Sequence, residues 1–166
     1  MAPSKVVLFR HGEKVDGDGL APQGFYRAFL LSYLLYQKYP TMKGIYAAGT
    51  GPRDSSTRKI QTVAPLICKM LFINGGLAIN TVYLHFEYME AAHEILTDEI
   101  FANQIVLVCW SHTSLPLFAK ALGAYNVPHK WPDTRFDVIW EIDMFKNKLI
   151  QIPQLLLPGD LNLPIY

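Results

Sequence analysis

The sequence predicts an α/β fold, a three-layer α/β/α sandwich around a mostly parallel central sheet, as one domain over residues 1–166. Three observations predict it. Short, uniformly apolar runs such as Val6-Val7-Leu8-Phe9 and Ile105-Val106-Leu107-Val108-Cys109-Trp110 have the length and β-branched content of strands buried on both faces. Segments with helical spacing of apolar residues alternate with such runs, the pattern of parallel strands joined by crossover helices. Hydrophobic residues make up 51% of the chain and charged residues 17%, which supplies a sizeable core and argues against disorder.

Residues 6–9 read as the first strand, which stops at the polar cluster Arg10-His11-Gly12-Glu13-Lys14 with a Gly where the chain turns. Asp16-Gly17-Asp18-Gly19 is a loop by composition. It is no calcium loop, because the twelfth position from Asp16 is Arg27 where an EF-hand supplies Glu. Residues 22–38 predict a helix, with Phe25, Phe29, Leu30, Tyr33, Leu34 and Tyr36 at near-helical spacing, Pro22 in the first turn and Pro40 past the end. Residues 44–48 read as a second strand and residues 57–72 as a second helix, carrying Ile60, Val63, Ala64, Ile67 and Leu71 on one face. Pro65 is expected to kink or split that helix, and Asn74-Gly75-Gly76 ends it. A short strand within 77–83 and a helix over 90–101 precede the strongest strand, 105–110. That strand runs into Ser111-His112-Thr113-Ser114, then a helix over 117–122 that stops at Gly123. Strands at 137–143 and 148–152 pair through a turn at Lys146-Asn147. The Pro- and Leu-rich tail, 153–166, reads as an extended strap, whose apolar residues allow a homodimer without requiring one.

Several function classes drop out. Fifteen Lys and Arg against fourteen Asp and Glu leave a net charge of +1, so no global field advertises nucleic acid or an anionic membrane as a partner. No apolar run reaches the roughly 18 residues a membrane span needs. The apolar stretch at 6–9 is too short for a signal peptide, and a cytoplasmic location is expected. Cys68 and Cys109 are too few for a disulfide scaffold and lack zinc-site spacing, and both read as buried free thiols.

Ligands of open α/β sheets bind beyond the carboxyl ends of the strands. The first strand ends in Arg10-His11-Gly12 and the strand at 105–110 ends in Ser111-His112, so side by side they bring two imidazoles and a guanidinium to one rim. The second strand leads to Arg53 and Arg58. Arginine binds phosphoryl oxygens in a forked geometry, and a neutral imidazole attacks phosphorus. Glu87 or Glu90 could protonate a leaving alcohol. Taken singly, these residues have plainer readings. His112 suits a hydrogen-bonded loop, Arg10 a surface cap, Glu13-Lys14 a solvated pair, and Glu87 and Glu90 surface carboxylates. His85, His93 and His129 read as structural, and Arg135-Phe136-Asp137 as a turn into a strand. Arg58 at a helix start is unfavourable for the helix dipole and points to a nearby anion.

Together the segments resemble the histidine phosphatase, or phosphoglycerate mutase-like, superfamily. Leu8-Phe9-Arg10-His11-Gly12-Glu13-Lys14 resembles its signature, and Leu20-Ala21-Pro22-Gln23-Gly24 its approach to the first helix, followed by Arg27-Ala28. Arg58-Lys59-Ile60-Gln61-Thr62 resembles its Arg-x-x-Gln-Thr segment, with Ser55 and Ser56 upstream, and residues 106–112 resemble the strand presenting its second histidine. Trp131-Pro132 through Phe136-Asp137 and Trp140 resemble the C-terminal region of small bacterial members, so the likeness covers residues 5–145.

The resemblance implies a phosphoglycerate mutase-like fold and a metal-independent, cofactor-free phosphatase. His11 would be the nucleophile that forms a phosphohistidine. Arg10, Arg58 and His112 would bind the phosphoryl oxygens, and water would hydrolyse the intermediate. The substrate would be a phosphorylated small molecule or a phosphoprotein, including protein phosphohistidine. Thr113 excludes the branch with an acid directly after the second histidine. The short stretch between the second helix and the strand at 105–110 leaves no long lid, which favours phosphatase over mutase. The competing reading is a non-catalytic phosphate-sensing or protein-binding module on the same fold. A metal site on His11 and His112 is disfavoured because the two arginines would repel a cation.

Overall fold

β1 (Lys5–Arg10) and β4 (Ile105–Trp110) lie side by side at the centre of the sheet, parallel, from Lys5 opposite Ile105 to Arg10 opposite Trp110. The computed structural model describes residues 1–166, the side chain of Asn74 excepted. β2 (Met42–Ala47) and the two-residue β3 (Ile79–Asn80) extend the sheet on the β4 side, both parallel to it. β5 (Val138–Asp143) and β6 (Lys148–Pro153) extend it on the β1 side and run antiparallel, giving the order β3-β2-β4-β1-β5-β6. The mostly parallel α/β sheet predicted above is therefore present, and the two strand ends bearing Arg10-His11 and His112 are neighbours.

Alternation along the strands builds two cores. Val6, Leu8, Val106, Val108 and Trp110 face α3 (Tyr88–Thr97) and α4 (Leu115–Ala121), packing on Ala92, Ile95, Phe118 and the Trp131–Trp140 pair. Val7, Phe9, Leu107 and Cys109 face α1 (Pro22–Lys38) and α2 (Arg58–Asn74), packing on Leu31, Leu35, Val63, Leu66 and Met70. With helices on both faces, the long apolar runs of β1 and β4 need no polar alternation. No described helix is long and apolar enough to cross a membrane.

Several expectations are corrected. Helix α2 runs through Pro65 without splitting. Val63 and Leu66 beside the proline and Met70 beyond it are all buried against the sheet, and that packing offsets the roughly 3 kcal/mol a mid-helix proline costs. The buried face of α1 is Ala28, Leu31 and Leu35 with Arg27 and Ser32, while Phe25, Phe29 and Tyr33 of the apolar spacing are exposed. Ala64 and Leu71 of α2 are likewise exposed, and Leu66 and Met70 take their place. The helix expected over 90–101 starts at Tyr88, ends at Thr97 and is followed by a separate 3-10 turn, Glu99–Phe101, because the Asp98 backbone is extended and its carboxylate accepts from Ile100 N. Cys68 is exposed on α2, and Cys109 alone is buried.

The tail does run as a strap. Arg27, 3% exposed, donates to Asp160 and to Gln154, and Leu161 N donates to Asp137. Glu13 joins the same cluster through a two-oxygen pairing with Arg27, so it is a half-buried clamp and not half of a solvated pair with Lys14.

Candidate functional site

The turn after β1 is held tightly by small residues. A Cβ on Gly12 would lie 2.7 Å from the Gly24 carbonyl oxygen, and one on Gly24 would lie 2.2 Å from the Glu13 oxygen, so two glycines let the start of α1 press against this turn. The contact buries His11, whose ring is 4% exposed as a residue and lies 6.1 Å from Phe136. His11 Nδ1 lies 2.7 Å from the Gly12 carbonyl, which only accepts, so Nδ1 carries the proton and Nε2 carries the lone pair. Burial pushes His11 down to about 3, with the positive charges of Arg10, Arg58 and Lys59 adding to the effect. The imidazole is thus neutral across the physiological range.

Arg10 is fully buried. Its Nη1 points at the carbonyls of Pro132, Asp133 and Arg135, at 3.2, 2.7 and 3.0 Å, and its guanidinium stacks 3.9 Å over the Phe136 ring. Nε and Nη2 are buried without partners. These two nitrogens share one edge of the guanidinium, the two-donor fork that matches a phosphate or carboxylate. Burial lowers the group to about 10, so it stays charged at neutral pH.

The first turns of α2 supply three side chains at positions i, i+3 and i+4, hence on one face. Arg58 donates from Nε to Gly19 O at 3.2 Å and from Nη2 to Gly17 O, which fastens it to the loop after the β1 turn. Its charge bears on both Arg10 and His11. Gln61 Oε1 accepts from Leu20 N, and Thr62 Oγ1 accepts from Gly12 N at 2.9 Å. Spacing alone does not reveal that Gln61 and Thr62 hold the backbone on which the arginine and His11 sit. Beside them, Lys59 is buried and donates to Asp54 Oδ2 and Ser56 O, fixing the loop before the helix, and Ser56 Oγ is buried without a partner.

His112 follows β4. Its Nε2 is paired with the carboxylate of Asp133, and its Nδ1 is buried without a partner. Burial, then Arg10, pushes it down to about 4, opposed by Asp133. Asp133 carries no signal in the sequence, because it joins the site from a loop beyond α4.

Among the described residues, no hydrogen bond ties Glu87 or Glu90 to Arg10, His11, Arg58 or His112. Glu87 Oε2 accepts from Leu84 N and closes its own turn. Glu90 is exposed on α3, in an open depression with Met89, His93 and Thr97. Arg53 is exposed and stacks on Phe86 at 4.5 Å. The Arg135 side chain is structural, donating to Asp137 and to Leu163 O. Among the described residues, no three His, Cys, Asp or Glu side chains gather as a metal site requires.

Every buried side-chain polar atom without a partner among the described residues belongs to Arg10, Ser56 or His112. Arg10 ends β1, His112 follows β4 by two residues and Ser56 precedes α2, and the open donors of Arg10 are of the kind an anion satisfies.

No family model and no curated protein matches the chain. Solved structures do. The chain covers 90% of its length on one assigned as the phosphohistidine phosphatase SixA of Agrobacterium tumefaciens, and 98% of that chain, at TM-score 0.58 and 15% identity. Against one so assigned from Nakamurella multipartitia, the TM-score is 0.54 and the identity 15%, covering 90% of this chain and 95% of that one. Against a protein histidine phosphatase SixA complexed with tungstate they are 0.52 and 13%, covering 90% and 97%. The fold is that of the phosphoglycerate mutase-like class, as the sequence resemblance implied. At these identities the likeness is one of fold.

Proposed function

We propose that this chain is a metal-independent phosphatase of the histidine phosphatase superfamily, acting through a phosphohistidine on His11. The observation that carries the reading is the unfilled edge of Arg10, with Nε and Nη2 buried beside a neutral imidazole whose protonated nitrogen is tied to Gly12 O. The Nε2 lone pair attacks phosphorus, the bond from phosphorus to the leaving atom breaks, and its electron pair departs with that atom. Water then attacks phosphorus, the P–N bond breaks, and inorganic phosphate leaves with His11 regenerated. Arg10, Arg58 and His112 hold charge on the transferring oxygens, which is the larger part of catalysis in such a transfer.

Glu87 Oε2 is committed to Leu84 N and Glu90 is exposed on α3, so this reading assigns neither as the acid, and an alkyl alcohol leaving group would depart without one. The reading therefore favours substrates whose leaving group is already good, namely protein phosphohistidine, where neutral imidazole departs, or an aryl phosphate. The fold neighbours named as phosphohistidine phosphatases, one complexed with the tetrahedral oxyanion tungstate, support it. The same missing acid supports the second reading, a phosphate-binding module without turnover.

Hydrolysis of an aryl phosphate and of phosphoimidazole in excess chelator, in wild type and His11→Ala, separates the two. Turnover that survives chelation and vanishes in His11→Ala supports the phosphatase. Phosphate binding with no turnover of either compound supports the module.

A further inference from the structure

One residue grips both halves of the candidate phosphoryl site. The Asp133 carbonyl accepts from Arg10 Nη1 at 2.7 Å, while its carboxylate pairs with His112 Nε2. The carboxylate is 70% exposed, yet its main chain is pinned by a fully buried arginine, so it is presented to the imidazole at a fixed place. A carboxylate only accepts, so Nε2 carries the hydrogen and Nδ1 is left with a lone pair. That nitrogen is buried and has no partner.

A lone pair aimed at a phosphoryl anion repels it, whereas an N–H attracts it. Resting on the phosphatase reading, we infer that Asp133 is a positioning residue that orients His112 and stabilises its doubly protonated form, so that phosphoryl binding takes up a proton at His112 Nδ1. Nε2 keeps its proton, shared toward Asp133, and the proton for Nδ1 comes from solvent. On release of phosphate the proton returns to solvent, and the cycle balances.

The charges around the ring fit this role. Arg10 and Lys14 bear on His112 and oppose its protonation, and Asp133 is the carboxylate that opposes them. Lys120, His129 and Lys130 line the adjoining groove and add positive charge or none. In the unliganded site burial, with the cations adding to it, outweighs Asp133 and the imidazole is neutral. A bound dianion reverses the balance, and Asp133 on the far nitrogen decides how far. The effect resembles a carboxylate behind a metal-bound histidine, where the outer partner fixes the tautomer and raises ligand basicity.

The test is calorimetric titration of the full chain with inorganic phosphate at pH 7, in buffers of different ionisation enthalpy, which reads protons taken up per phosphate. Wild type is expected to take up more protons than the ionisation of phosphate itself accounts for, and His112→Asn to lose that excess. Asp133→Asn keeps the carbonyl that holds Arg10, so its melting temperature should match wild type. It should lose most of the excess uptake and bind phosphate about tenfold more weakly, the effect of one pKa unit at His112. Asp133→Glu should restore both. Unchanged uptake and affinity in Asp133→Asn would overturn the inference while leaving the phosphatase reading intact. Failure of wild type to bind phosphate would overturn both.

Discussion

Thr62 Oγ1 accepts the Gly12 N–H at 2.9 Å and donates to the Arg58 carbonyl at 2.7 Å, so one hydroxyl joins the turn bearing His11 to the first turn of α2. Two segments 50 residues apart thereby hold a fixed distance, and the arginine and the imidazole are set against each other by backbone. Thr62→Val keeps the shape and removes the acceptor. It should cost about 1–3 kcal/mol of stability from the unsatisfied Gly12 N–H. Urea unfolding reads the first effect. Aryl phosphate turnover should fall with it, and steady-state kinetics reads that loss.

Gly12→Ala tests the close approach of α1. The new methyl would meet the Gly24 carbonyl oxygen, which is backbone and cannot swing away. Overpacking of this kind costs roughly 1–3 kcal/mol, and a lowered melting temperature with weakened phosphate binding is expected. Gly24→Ala, facing a closer clash with Glu13 O, should be worse.

Burial of His11 makes stability pH-dependent. Its native value of about 3 lies below the ordinary 6.5, so between those values the unfolded chain binds the proton more readily than the native one. Stability from this group is complete above about pH 6.5, falls as pH drops, and levels off below about 3. The urea midpoint should therefore decline from pH 7 to pH 4.5, and decline less in His11→Asn.

Arg27 lies buried between Glu13, Gln154 and Asp160. Arg27→Met leaves two carboxylates without their cation, and breaking a buried pair in this way costs about 3–5 kcal/mol. Chemical unfolding should register the loss, and limited proteolysis should cut the tail beyond Pro153 faster than in wild type.

Much of this architecture can be read from the chain. β1 and β4 are uniformly apolar because helices cover both faces, and α1 is bracketed by Pro22 at its first position and Pro40 beyond its end. Arg10, His11 and His112 stand out as polar groups at the ends of apolar runs, where open sheets place ligands. The grip on Arg10 leaves no such trace. Its acceptors are main-chain carbonyls up to 125 residues away, and any residue supplies a carbonyl. Glu13 reads as a solvated acid because nothing in the sequence marks its partner Arg27, 14 residues on, as buried; Asp160, 133 residues beyond Arg27, completes that clamp from the tail. The face of α1 was obscured because Arg27 and Ser32 lie inside while Phe25, Phe29 and Tyr33 lie outside. Hydrophobicity ranks burial poorly where a charged clamp occupies the core side.

In the phosphatase reading, His11 Nε2 receives the phosphoryl group. Intact-mass and peptide analysis of the chain mixed with phosphoimidazole, quenched rapidly into alkali where phosphohistidine persists, tests it most directly. One phosphoryl group on the peptide containing His11, absent from His11→Ala, is the predicted result. Turnover undiminished in His11→Ala would contradict it.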